Sequence, residues 1–350
     1  MGSAGGYQRR IMEEEETAMV HNSEFTVLAK PTYDPESGLF PLCCYKYLLL
    51  IDADSKKKMT NIPVNKRLLF RIASFKNGVL LVPAFLCEGR GKKVVLLVAE
   101  ARRARIGFIR LPYRTGALSV TFGMATAAPD LVAVAPKGLG SVHLWHVCRG
   151  TRILTLRGMW RVNGEITALR FSSSGMRLVV VVNRTKLYIL SVPDLRVISS
   201  HRLRTQGEIL DISADDNFVS LLIGESCSDF PEKRYMVEVF GRWCANLRVI
   251  AKTSSAPAVV VASLDASNAL LCLGTESSVR ILHLPTKVLV GEFKLPPSFD
   301  KSLPYYVIFS DDYSLFLVNF ATPIWLWHIQ HTTSKEKEAA HKMPLSQQHP

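Results

Sequence analysis

The chain contains no run of about 18 apolar residues, the length a membrane-spanning helix requires. It has no C-x-x-C pair, and its seven cysteines are an odd number, which argues against a disulfide framework or a zinc site. Cys43, Cys44, Cys87, Cys148 and Cys272 sit inside strand-like runs and read as buried free thiols in a reducing compartment. No basic-then-apolar leader opens the chain, so secretion is not expected. Gly6 stands where N-myristoylation wants serine or threonine. No G-x-S-x-G, H-E-x-x-H, P-loop lysine or G-x-G-x-x-G occurs. His143 and His146 lie three apart on one strand, hence on opposite faces, and do not make a metal pair. Asp215-Asp216 and Asp311-Asp312 fall in turns, where turn chemistry explains them. The expectation is a non-enzymatic protein with no catalytic residue, no metal and no cofactor.

What is present is strand grammar. Residues 131–192 alternate apolar runs of four to eight residues with short polar turns and leave no helix-length gap. Residues 142–147 (VHLWHV) match residues 187–192 (LYILSV). Asn77-Gly78 between apolar runs is a hairpin signal. Trp145, Leu190, Phe240, Leu282 and Trp327 hold equivalent places, at spacings of 45, 50, 42 and 45 residues. Repeats of about 40–45 residues with four strands each have the period of β-propeller blades.

The expected fold is all-β, a seven-bladed β-propeller of four-stranded antiparallel blades over residues 24–330. Residues 1–23 read as a disordered arm and residues 331–350 as a disordered polar tail. Only three strands follow Lys301, so residues near the amino terminus are expected to supply the missing one. Residues 24–30 are assignable to either the first or the last blade.

Lysine and arginine number 43 against 30 acids, a net charge of +13, which favours acidic partners: nucleic acid, acidic phospholipid or acidic protein. The basic segments Lys56, Lys57, Lys58, residues 89–93, and Arg102, Arg103, Arg105 occupy turns or precede strands and are candidates to line one rim as a partner or polyanion contact. Trp160 beside Arg161 is either core-edge packing or an aromatic grip on a partner.

Residues 140–147, 185–192, 278–284 and 322–329 each pair a turn with a β-rich strand carrying a large central residue, and in this the chain resembles a WD-repeat-like propeller. Trp145-His146 and Trp327-His328 stand where that family has Trp-Asp. Residues 166–199 and 279–309 are similar to blades of the PROPPINs, phosphoinositide-binding propellers of autophagy. Their Phe-Arg-Arg-Gly motif falls here on Phe293, Lys294, Leu295 and Pro296. The resemblance implies a lipid headgroup on Lys294, assisted by Lys287 and Lys301, and weakened because one lysine replaces two bidentate arginines. It implies a cytoplasmic or peripheral-membrane adaptor. The other reading is a WD-repeat-like adaptor subunit of a protein or ribonucleoprotein assembly, with partners at the propeller rims.

Overall fold

The computed structural model describes residues 15–17, the strands named below between Leu39 and Trp327, and most connecting turns between residues 136 and 295. Among the described residues the chain is all-β, without helix. Seven antiparallel sheets follow one another in chain order, and most are four-stranded.

Sheet 1 holds Leu39–Cys43, Tyr47–Asp52 and Lys58–Pro63. In sheet 2, Leu68–Phe70 and Ser74–Lys76 both pair with Val79–Glu88, followed by Gly91–Glu100 and Arg105–Arg114. Sheet 3 consists of Thr121–Met124, Leu131–Ala135, Ser141–Cys148 and Ile153–Arg161. Sheet 4 runs Ile166–Phe171, Arg177–Val182, Lys186–Ser191 and Val197–Arg202. Sheet 5 contains Glu208–Ala214, Phe218–Gly224, Lys233–Gly241 and Leu247–Thr253. Sheet 6 is Ala258–Ser263, Ala269–Gly274, Ser278–His283 and Val288–Lys294. Sheet 7 has Tyr305–Phe309, Leu315–Asn319 and Ile324–Trp327. Trp145, Leu190, Phe240, Leu282 and Trp327 all lie in the third strands of their sheets.

The burial pattern explains why the second strands are almost wholly apolar. In Arg177–Val182 every residue after the first is buried. Leu178, Val180 and Val182 fill a core shared with Ala133, Val142 and Leu144 of sheet 3. Val179 and Val181 fill another, shared with Val219, Leu221 and Ile223 of sheet 5. A strand with both faces in a core loses the polar alternation of a half-exposed strand. Each such side chain contributes roughly 1.5–3 kcal/mol of burial. Further cores join sheet 5 to sheet 6, and sheet 6 to Val307 of sheet 7. The fourth strand of sheet 4, Val197–Arg202, is mostly exposed. The first strands of sheets 3 to 7 lie beside one another in chain order.

Sheet 7 is completed by Glu15–Thr17, which pairs antiparallel with Ile324–Trp327, Glu16 opposite Trp325. These three residues fall within the arm expected over residues 1–23 and supply the amino-terminal strand expected for the last sheet. An outer strand needs only backbone donors and acceptors to complete a ladder, so the charged sequence EET serves there. Residues 24–30 and 331–350 lie outside the described residues.

Turns join neighbouring sheets. Asp215 Oδ1 accepts the backbone N–H groups of Asn217 and Phe218, both at 2.7 Å, and so closes its own turn. The adjacent Asp216 carboxylate accepts from Ser172 Oγ at 2.9 Å and from Ser174 Oγ at 2.5 Å, both on the first turn of sheet 4. The turn residues of sheets 4 and 5 are thus tied to each other.

Candidate functional site

A polar network of four side chains lies in the seam between sheets 2 and 3. Tyr113, one residue before the end of sheet 2, meets His143 and Trp145 on the third strand of sheet 3. Alternation places Ser141, His143 and Trp145 on one face of that strand. Trp145 Nε1–H donates to the Tyr113 hydroxyl at 2.8 Å. The hydroxyl lies 2.8 Å from His143 Nδ1, and His143 Nε2 lies 3.1 Å from Ser141 Oγ. The Tyr113 and Trp145 rings are edge-to-face, with centroids 6.4 Å apart.

The indole occupies one acceptor direction of the phenol oxygen, which leaves the phenol proton able to donate to Nδ1. In that arrangement His143 is neutral and its remaining proton, on Nε2, is donated to Ser141. Electrostatics agree: desolvation and the nearby Arg161 both lower the His143 pKa. Burial pushes the Tyr113 phenol up to about 12, against the opposing pull of its bond to Trp145. A serine that accepts from an imidazole N–H is not activated as a nucleophile. The geometry makes this network an inter-sheet tie. Sequence reading missed it because Tyr113 and His143 are 30 residues apart; the only local signal was the alternation of Ser141, His143 and Trp145.

The residues singled out from the sequence fall at two ends of the sheets. Lys294 is exposed at the last position of Val288–Lys294, opposite Ser278. Lys287, exposed with a positive φ of 58°, is in the turn that precedes the same strand. The two are separated by the strand's full length, about 20 Å at 3.3 Å per residue, and share no pocket. Lys301 lies outside the described residues, as do Lys56, Lys57, Arg102 and Arg103. Lys58 begins the last strand of sheet 1, and Arg105 begins the last strand of sheet 2. Both stand at the end where the outer strand begins, as Lys287 does in the turn before the outer strand of sheet 6. Lys294 is at the other end.

Trp160 is half-buried against the core between sheets 3 and 4 and stacks edge-to-face on Tyr188, centroids 5.2 Å apart. Arg161, next to it, is exposed. Across the first strands of sheets 4 and 5, Arg170 faces the charge of Asp211, which offsets part of the burial that lowers the Arg170 pKa. Among the described residues no group of three metal-ligating side chains occurs, and no helix is long and apolar enough to cross a membrane. No protein-family model matches the chain, and no curated protein matches its sequence.

Proposed function

We propose that the chain is a seven-bladed β-propeller acting as a non-enzymatic scaffold, an adaptor subunit that holds partners on the rims of its sheets. The observation that carries this reading is the ordered succession of antiparallel sheets, first strand beside first strand, with Glu15–Thr17 joined to the last of them. Such an arrangement spends its apolar side chains on the cores between sheets and leaves turns and outer strands for contact. The phosphoinositide reading keeps Lys294 alone at its end of sheet 6. A lone lysine is a point charge, so this reading implies weak, salt-sensitive attraction to acidic lipid.

Native gel electrophoresis and quantitative affinity purification from the source cells test the scaffold. The proposal expects the chain in a stoichiometric assembly with other subunits. Recovery only as a free monomer at every salt concentration contradicts it.

A further inference from the structure

In each of sheets 2 to 6 the third and fourth strands form an antiparallel ladder, and the rungs at one end of these ladders share a composition. The closing rung is Lys93 opposite Arg114 in sheet 2 and Ser141 opposite Arg161 in sheet 3. In sheet 4 it is Lys186 opposite Arg202. In sheet 5 Lys233 faces Thr253, and the next rung sets Arg234 opposite Lys252. Sheet 6 closes with Ser278 opposite Lys294. Seven of these ten closing positions are cationic and none is acidic. Lysine and arginine make up 43 of 350 residues, so chance would place about one in ten positions. The other ends of the same ladders carry one base and one acid, Glu100 opposite Arg105.

Contacts between sheets bring the basic ends together. Tyr113, beside Arg114, reaches His143 near the start of the next sheet's third strand. Trp160, beside Arg161, reaches Tyr188, two residues from Lys186. Tyr235, beside Arg234, feels the charge of Glu276 in the turn that leads to Ser278. The Ser172–Asp216 bond joins the opposite ends of sheets 4 and 5. Glu165 and Glu208, the carboxylates nearest the basic end in sheets 4 and 5, stand at the inner first strands, away from the outer ladder.

Like charges directly opposite on a ladder are destabilising. Deeper in sheet 6 an opposite-charge rung pairs Arg280 with Glu292 at 2.9 Å, and the same carboxylate accepts from Ser278 of the closing rung. No acid stands opposite a cation in the closing rungs of sheets 2 to 5. Arg161, Lys186, Arg202 and Lys294 are exposed, and among the described residues their side chains form no ion pair. Like-charge rungs recur at this end in sheets 2, 4 and 5, and a chain of phosphates relieves their repulsion. A single small anion would use one rung; the recurrence over five sheets matches an extended polymer. Lys186 and Tyr188 share a strand face, so the half-buried Tyr188–Trp160 pair flanks the Lys186–Arg202 rung. Cations beside aromatic rings suit a polyanion that carries bases.

We infer that this end of the outer strands binds the phosphodiester backbone of a single-stranded nucleic acid. The inference rests on the scaffold reading and names its partner class. The test is fluorescence anisotropy of the full chain with a labelled 20-nucleotide oligo(U) RNA across a salt series. Binding is expected with a log–log salt slope that falls by about 1.4 in Lys186→Gln/Arg202→Gln, about 0.7 for each phosphate that is no longer neutralised. The same variant should melt at an unchanged or higher temperature, since it relieves repulsion. Lys287→Gln, at the other end of sheet 6, should bind as the wild type does. Three outcomes overturn the inference: no RNA binding at low salt, equal loss in Lys287→Gln, or binding to phosphatidylserine vesicles without binding to RNA. Failure here with an intact native assembly leaves the scaffold standing, whereas a free monomer that binds RNA removes the scaffold alone.

Discussion

Trp145 donates its indole N–H to the hydroxyl of Tyr113 at 2.8 Å across the seam between two sheets, and the same hydroxyl lies 2.8 Å from His143 Nδ1. Burial of His143 in this network, together with the nearby Arg161, favours the neutral histidine. The unfolded chain protonates His143 near pH 6.5, whereas the folded chain does so only at lower pH. Between those values the unfolded state binds more protons, so this contribution to stability is complete above about pH 6.5 and is lost as pH falls through the folded-state value. Melting temperatures from pH 8 to pH 5 should fall more steeply for the wild type than for His143→Gln. Parallel curves would contradict the assignment.

Asp216 accepts two serine hydroxyls from the neighbouring sheet. Replacing it with alanine removes both and leaves buried Ser172 with only Ser174 Oγ at 3.2 Å and the Arg177 N–H. The expected cost is about 2 kcal/mol, read from chemical denaturation with the denaturant slope unchanged. Asp216→Asn keeps one acceptor and should cost less than half as much.

Gly241 ends the third strand of sheet 5 against the ring of Phe218, which is 1% exposed. A Cβ there would stand 2.6 Å from Phe218 Cε1 and closer still to Cδ1. The ring is enclosed by its core and cannot swing away, so Gly241→Ala should destabilise by about 1–3 kcal/mol through overpacking. A Cβ on Gly138 would meet no atom within 4 Å, but the residue has a φ of +78°, so its alanine variant should show backbone strain without a packing clash.

Cys272 is fully buried in the core of sheet 6, and burial raises its thiol pKa. Thiolate is the reactive form. Cys272 should therefore resist iodoacetamide in the native chain at pH 8 and react once the chain is denatured, with modification read by peptide mass spectrometry. Native-state labelling would contradict the core placement.

The strand pattern was legible because burial on both faces writes itself into runs such as RLVVVV and FVSLLIG. The spacing from Trp145 to Trp327 was legible because each sheet repeats the same third-strand position. The closing strand was not: Glu15–Thr17 holds its place through backbone pairing, and a charged edge carries no apolar period. The seam network was hidden by the distance in sequence between Tyr113 and His143. The basic ends were hidden for another reason. Lys93 was visible in the basic turn of residues 89–93 and Lys294 in the stretch of residues 293–296. Lys186 and Arg202 form no cluster in sequence, and only the ladder register sets each residue beside its partner. The segments that looked basic in sequence, at Lys58 and Arg105, begin outer strands at the other end.

The proposed propeller requires the amino-terminal strand to close its ring. Hydrogen–deuterium exchange should be compared between the full chain and one starting at residue 19. Without Glu15–Thr17, amides of Ile324–Trp327 lose their outer partner, and the opened ring should also loosen sheet 1. The account predicts faster exchange in both Ile324–Trp327 and Tyr47–Asp52, with sheet 4 unchanged. Identical exchange in the two chains would contradict it.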